Sequence, residues 1–205
     1  MSLTRIGVLI SGNGTNLQAL IDNIASGNIS GRICVVISDR KDVYGLVRAK
    51  KHGIDAVCIN KKDFLNDTDF NSKLLEELKN RDIQLIVLAG YLRILSTEII
   101  NEYRNRIINI HPSLIPSFCG KGYYGEKVHK AVLEYGVKVT GATVHFVDEK
   151  ADTGPIILQE PVKVNNDDTL EALQERVLKI EHALLSEAVK LFCDGRLRIS
   201  ERKVW

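Results

Sequence analysis

The sequence predicts an α/β fold: a single domain with a doubly wound, mostly parallel sheet and an antiparallel part near the C-terminal end. Apolar runs of strand length alternate with stretches in which apolar residues recur every three or four positions, as in amphipathic helices. In one run, residues 84–89, every residue after Gln84 is apolar, which is typical of a strand inside a parallel sheet. The length of 205 residues suits one domain with a sizeable core, so we expect one domain over residues 1–205.

The first half of the chain alternates strands and helices. A short apolar run, residues 5–11, is followed by a glycine turn and then by a helical pattern that includes Leu17, Leu20 and Ile24. We expect further strands at residues 32–38, 56–60 and 84–89, helices at residues 45–52, 70–78 and 96–103, and a loop at residues 61–68.

The second half begins with a strand at residues 107–111, which Pro112 ends because proline lacks an N–H. Asp168-Thr169-Leu170-Glu171 indicates a capping box that opens a long helix, which Gly195 ends. Between them we expect a loop at residues 117–124, a helix at 125–135, an alternating strand at 138–148, a turn-rich loop at 148–155 and a strand at 156–164. Residues 196–205 are expected to add an edge strand.

Composition narrows the classes of function. The chain has 28 basic and 26 acidic residues, so its net charge of +2 favours neither nucleic acid nor an anionic membrane as a partner. No apolar run approaches the roughly 20 residues that span a bilayer, and four scattered cysteines form no C-x-x-C pair. We therefore expect a cytoplasmic protein that binds small molecules, without disulfides or zinc, as a monomer or weak homodimer.

The glycine turn after the first strand is a candidate anion site. Such a turn presents free backbone N–H groups and the positive end of the helix dipole. The turn lacks the Gly-Lys-Ser/Thr ending of a P-loop and the third glycine of a dinucleotide fingerprint, although Asp39 stands where a ribose-binding acid is expected. A plain strand-to-helix connection, with Thr15 or Asn16 as N-cap, also explains the turn.

The strand at residues 107–111 carries the candidate catalytic groups. Side chains two apart share a face of a strand, so Asn109 and His111 point one way and Ile108 and Ile110 the other. The polar pair lies at the carboxyl end of the strand, where open α/β sheets bind ligands. For an arbitrary strand, mutual hydrogen bonding of the two side chains would be a sufficient explanation.

The segment Asn109-x-His111-Pro112-Ser113-Leu114-Ile115-Pro116 resembles the motif of the folate-dependent formyltransferases. The resemblance extends from about residue 7 to about residue 196 and is strongest to the members that formylate glycinamide ribonucleotide in purine synthesis. It implies transfer of the formyl group of 10-formyltetrahydrofolate, a co-substrate, to the primary amine of that ribonucleotide, with no metal.

The resemblance also implies residue roles. Asn109, His111 and Asp152 would be catalytic, with Asp152 placed against the other two by the resemblance alone. Gly14, Thr15 and Asn16 would bind the substrate phosphate and Glu181 its ribose. The formyl folate would contact Leu92, Arg93, Ile94, Leu95, Asn109, Asp148, Glu149, Lys150, Ala151 and Asp152. Many relatives carry a folate-contacting arginine where this chain has Asp67, so that one contact is expected to be missing.

These residues suggest a mechanism. Attack of an amine on the formyl carbon creates a negative oxygen, and Asn109 and a protonated His111 would donate hydrogen bonds to it. Because a nearby carboxylate raises the pKa of an imidazole, Asp152 is expected to keep His111 charged. Asp152 could also orient a water that moves a proton from the attacking amine to the leaving nitrogen.

Four alternatives remain open on the sequence. A tRNA formyltransferase shares the motif but needs a further C-terminal domain, and a formyltetrahydrofolate hydrolase would use a related triad on water. A dinucleotide-binding module would use Gly12, Gly14 and Asp39. A metal hydrolase would use His111, His145, Asp148 and Asp152.

Overall fold

The structure is a computed structural model that describes residues 3–205. Contacts divide the chain into two compact units, one ending at Ile108 and the other comprising Asn109–Trp205. The first unit contains parallel strands only, and the second contains antiparallel pairs. The α/β class, with a mostly parallel sheet and an antiparallel part near the C-terminal end, is therefore confirmed.

In the first unit the strands run in the order β3-β2-β1-β4. They are β1 (Thr4–Ile10), β2 (Gly31–Ser38), β3 (Asp55–Cys58) and β4 (Leu85–Leu88). The helices are α1 (Thr15–Ala25), α2 (Tyr44–Lys51), α3 (Asp67–Lys79) and α4 (Thr97–Glu102), with a short 3-10 helix at Lys61–Asp63. The predicted loop at 61–68 is thus partly helical, because Asn60 and Asn66 each cap a helical turn with the side chain.

Central strands of the first unit are buried because helices cover them. All four residues of β4 are buried, as the continuous apolar run predicted, and β1 is buried from Ile6 to Ile10. Leu17 and Leu20 of α1 are also buried in this core. Strand β4 pairs with β1 along its whole length, from Leu85 opposite Ile6 to Leu88 opposite Leu9, which fixes both ends of β4 relative to β1.

Strand β5 (Ile107–His111) begins in the first unit and ends in the second. The second unit continues with α5 (Glu126–Tyr135), β6 (Val139–Phe146), β7 (Ile156–Lys163), α6 (Leu170–Cys193), β8 (Ile199–Ser200) and β9 (Lys203–Val204). Its strand order includes β6-β7-β9-β8, with β6 and β7 antiparallel and Thr143 opposite Gln159. The tail adds an edge pair, as expected.

The start of α6 differs from the predicted capping box. Thr169 caps the helix alone, accepting the backbone N–H of Ala172, and no Glu or Gln occupies the third helical position. Asp168 instead forms a two-pronged ion pair with Arg176, about two helical turns further on, which lowers the pKa of Asp168 to about 2. None of the helices in residues 3–205 is both long and apolar enough to cross a membrane.

Candidate active site

Strand β5 presents Asn109 and His111 as the alternation predicted. Ile108 and Ile110 are buried on the opposite face, whereas Asn109 is half-buried and His111 is 4 % exposed. His111 Nε2 lies 2.9 Å from the carbonyl oxygen of Phe118. Because a carbonyl oxygen only accepts, Nε2 carries a proton and donates it, which leaves Nδ1 as the free nitrogen of a neutral ring.

The loop after β6 brings Asp152 to this ring. Asp152 Oδ2 lies 3.6 Å from His111 Nδ1 and accepts the backbone N–H of Gly120 at 2.8 Å. Asp152 Oδ1 lies 3.6 Å from Nε2 of His145. The two 3.6 Å separations are too long for hydrogen bonds, so the carboxylate acts on both rings through its charge.

The predicted charge state of His111 is wrong for this arrangement. Burial lowers the pKa of His111, and this effect exceeds the opposite effects of Asp152 and of the Phe118 carbonyl. Burial raises the pKa of Asp152, but the neighbouring imidazoles and the Gly120 N–H lower it, and the net change is downward. A neutral imidazole beside a carboxylate is therefore the stable combination near pH 7, and it is set to accept a proton.

Three polar side chains hold the chain that follows β5. Thr143 Oγ1 donates to the Ser113 carbonyl at 2.6 Å, accepts the Ile115 N–H at 3.1 Å and accepts from Gln159 Nε2 at 2.9 Å. Ser113 Oγ donates to the Ser117 carbonyl at 2.6 Å. The Ile115-Pro116 peptide bond, whose isomer the sequence left open, is cis. The carbonyl of Phe118 is thus presented to His111 by an ordered segment.

His145 is a site residue that the sequence reasoning used only in the metal alternative. Its Nε2 lies 3.1 Å from Nδ2 of Asn109, and its Nδ1 lies 2.7 Å from the Phe146 carbonyl. Thr143 and His145 are two apart on β6, a strand with seven of its eight residues buried. Buried polar residues with that spacing share a face, and this signal could have found both of them.

The glycine turn in the first unit leaves the N-terminus of α1 without a side-chain cap. Gly14 is the N-cap residue in the left-handed conformation, with φ of 70°, so the proposed caps Thr15 and Asn16 are wrong. Gly45 N donates to the Gly12 carbonyl, and a Cβ on Gly14 would lie 2.8 Å from the Gly45 Cα. Only glycine allows α2 to approach so closely, and the first turn of α1 can face an anion.

Asp39 is not available to a dinucleotide ribose. The Ser11 hydroxyl donates to Asp39 Oδ1 at 2.6 Å, and the Leu92 N–H donates to the same hydroxyl at 2.9 Å. Asp39 is 9 % exposed. Its carboxylate therefore helps to join the ends of β1 and β2 to the segment after β4. Asp39 does not serve as the ribose-binding residue that the dinucleotide interpretation requires.

Residues predicted to bind the folate differ in environment. Leu95 belongs to the core, whereas Leu92 is 40 % and Ile94 70 % exposed, so the apolar character of this segment is only partly explained by packing. Arg93 lies over the Phe70 ring at 5.0 Å. Asp67 begins α3 and pairs with Lys61 at 3.1 Å.

In the second unit, Asp148 accepts the Thr153 hydroxyl at 2.6 Å and thereby shapes the loop that carries Asp152. In that loop Glu149 and Lys150 are exposed, and Ala151 is half-buried. On α6, Glu181 is 8 % exposed. Among residues 3–205 no group of three or more His, Cys, Asp or Glu side chains could hold a metal ion.

The fold is of the α/β class, and a polar Asn-His-Asp group lies near the carboxyl end of β5. The model of the formyl transferase family matches residues 4–189, and the chain belongs to this family. The phosphoribosylglycinamide formyltransferase of Haemophilus influenzae is 39 % identical, over 97 % of this chain and 92 % of its own length. The crystal structure of glycinamide ribonucleotide transformylase 1 from Symbiobacterium toebii has a TM-score of 0.94 at 47 % identity, covering 99 % of this chain and 93 % of that one.

Other relatives are much longer. The trifunctional purine biosynthetic protein adenosine-3 of Bos taurus is 44 % identical over 96 % of this chain, which spans 19 % of its length.

Proposed function

We propose that this protein transfers the formyl group of 10-formyltetrahydrofolate to the primary amine of glycinamide ribonucleotide, giving N-formylglycinamide ribonucleotide and tetrahydrofolate. One observation carries the proposal: His111, which shares a face of β5 with Asn109, lies 3.6 Å from Asp152 of the loop after β6, in a chain of the formyl transferase family. The reaction is a direct transfer through a tetrahedral intermediate, with no covalent bond to the protein.

Asn109 is the donor for the developing negative oxygen. Its amide has two N–H groups, and a half-buried position lets one of them reach a bound carbonyl. An amide donor aimed at an oxyanion typically contributes roughly 2.7 to 4 kcal/mol to the transition state. Formyl transfer therefore depends on the direction in which this amide points.

The His111-Asp152 pair transfers a proton from the attacking amine to the leaving nitrogen. The amine that attacks must lose a proton, and N10 of the folate must gain one when the C–N bond breaks. The neutral imidazole can accept a proton, and the carboxylate 3.6 Å away stabilises the imidazolium that forms, which offsets part of the effect of burial. The pair takes the proton, directly or through a water, and returns it to the leaving nitrogen.

The remaining assignments follow the same family relationship. We assign the ribonucleotide phosphate to Gly14, Thr15 and Asn16, and its ribose to Glu181. The formyl folate is assigned to residues 92–95, Asn109 and residues 148–152. We further propose that residues 1–205 act as one domain in the cytoplasm, on small molecules alone, as a monomer or weak homodimer.

The test is one assay. Purified protein, 10-formyltetrahydrofolate and glycinamide ribonucleotide are mixed, and tetrahydrofolate and the formylated product are measured. Equal amounts of both products are expected, with no reaction when the ribonucleotide is omitted. Loss of the formyl group without ribonucleotide would identify a hydrolase and contradict the proposal. Activity in the presence of a chelator is expected to be unchanged, and a nicotinamide cofactor titration should show no binding.

A further inference from the structure

We infer that His145 is the positioning residue that sets the direction of the Asn109 side-chain amide. The inference rests on the proposed function, since it concerns the donor for the oxyanion. It comes from two contacts of one ring: Nδ1 with the Phe146 carbonyl at 2.7 Å and Nε2 with Asn109 Nδ2 at 3.1 Å. His145 is 1 % exposed, so water does not compete for either nitrogen.

The contact to Phe146 fixes the tautomer of His145. The carbonyl oxygen accepts only, so the proton of the neutral ring lies on Nδ1. Nε2 then has a lone pair and no hydrogen. In free neutral imidazole either nitrogen can carry the proton, and here the choice is made by a backbone group one residue away on the same strand.

The tautomer in turn fixes the amide. An Nε2 lone pair facing Asn109 attracts the NH2 end of the amide and repels its carbonyl oxygen, so one N–H of Asn109 is used by His145. Because the amide is planar, the directions of the second N–H and of the oxygen are then determined. Rotating the amide by 180° would place a lone pair of the amide oxygen against the lone pair of the buried ring nitrogen, which is unfavourable.

Asp152 does not orient the Asn109 amide. Its Oδ1 lies 3.6 Å from His145 Nε2, which is beyond hydrogen-bond distance. A carboxylate oxygen in that position does not determine which end of the Asn109 amide faces the ring. The backbone therefore acts on Asn109 through His145: Phe146 carbonyl, His145 ring, Asn109 amide. Each link is a single hydrogen bond with one possible direction.

Two substitutions of similar size separate the links. In H145Q the side-chain oxygen reaches the place of Nε2 and accepts from Asn109, whereas in H145N the side-chain nitrogen takes the place of Nδ1 and donates to Phe146. H145L provides neither group. We expect kcat within about threefold of wild type for H145Q and a decrease of roughly 10- to 100-fold for H145N and H145L, with KM for both substrates nearly unchanged.

A double-substitution cycle shows whether the effect passes through Asn109. In the N109A background there is no amide to orient, so H145N should change kcat by less than about twofold. A merely structural role of His145 predicts the same factor in both backgrounds and a decrease that follows the loss of stability. Either result, or equal kcat values for H145Q and H145N, would overturn the inference.

A measurement without substrate keeps this question separate from the proposed function. Long-range ¹H–¹⁵N spectra of the imidazole rings, with His145 assigned from the variants, should show a proton on Nδ1 near pH 7. A ring protonated on Nε2 overturns the inference, whether or not the protein transfers formyl groups. An Nδ1-protonated ring in a protein that fails the formyl transfer assay would contradict the proposed function alone.

Discussion

Gly120 donates its backbone N–H to Oδ2 of Asp152 at 2.8 Å, the oxygen that faces His111. The loop that follows β5 and the loop that follows β6 therefore meet at one carboxylate. This contact stabilises the charged form of Asp152 and fixes the distance of that charge from the ring.

The first prediction concerns this contact. Gly120 and Gly122 both have positive φ, 86° and 96°, and a Cβ on either would meet no atom within 4 Å. Alanine at either position should cost on the order of 1–2 kcal/mol of backbone strain. Only G120A should also displace Asp152 and lower kcat by roughly tenfold. Urea unfolding and steady-state kinetics measure the two effects, and equal kcat losses in G120A and G122A would count against the role of the contact.

The second prediction concerns charge. D152N and H111N should each lower kcat by roughly 10² or more while leaving the fold intact, since each removes half of the proton-accepting pair. D152N should also lower the pKa of His111 further, because Asp152 is the main influence that raises it. Histidine NMR titration measures that pKa, with the exposed E160Q on β7 as a control. A His111 pKa that is unchanged or higher in D152N would refute the electrostatic account.

A third prediction uses two threonines of β6. Both are buried, but Thr143 Oγ1 makes three hydrogen bonds, whereas Thr140 Oγ1 makes none with any described residue. T143V leaves the Ser113 and Ile115 backbone groups unsatisfied and should reduce the free energy of unfolding by about 1–3 kcal/mol. T140V removes an unsatisfied hydroxyl and should be neutral or stabilising. Chemical denaturation compares them, and similar losses in both would be contrary to expectation.

The fourth prediction is a pH dependence of stability. Burial and the nearby His111 lower the pKa of His129 to about 4, and its Nδ1 has no hydrogen-bond partner among the described residues. As the pH falls below about 6.5, the unfolded chain takes up a proton that the folded protein does not. Stability therefore decreases between about pH 6.5 and pH 4, by up to about 3 kcal/mol from this group.

The variant H129L should have a shallower dependence over that range, because it removes the titrating ring. The matched control is H52L, which makes the same substitution at an exposed histidine. Unfolding free energies at several pH values provide the measurement. Parallel curves for wild type and H129L would show that His129 is not the group responsible.

Hydrophobic patterning made much of this fold predictable. Alternation in β5 determined that Asn109 and His111 share a face, and the apolar run 84–89 identified a buried central strand. Such inferences succeed because periods of two and 3.6 residues follow from local backbone geometry. The N-cap of α1 was missed because a left-handed glycine and the close approach of Gly45 replaced a side-chain cap.

The less predictable part depends on contacts between distant residues. The lowered pKa of His111 reflects how deeply the ring is buried, which the sequence does not contain, and it reverses the sign expected from Asp152 alone. The partner of Asn109 is His145, 36 residues further along the chain. The Asp168-Arg176 pair joins residues only eight positions apart, and it was missed because the four-residue capping pattern does not extend to Arg176.

The single hydroxyl proton of Ser11 fixes the direction of the two hydrogen bonds that this side chain makes. Its hydroxyl has a single hydrogen, which goes to Asp39, so toward Leu92 it can only accept. In S11A the Leu92 N–H and the Asp39 carboxylate would both lose a hydrogen-bond partner. A side chain that only donates or only accepts would satisfy just one of them. The ends of three parallel strands are thus joined through one oxygen atom that both donates and accepts, a combination that threonine would keep and alanine would remove.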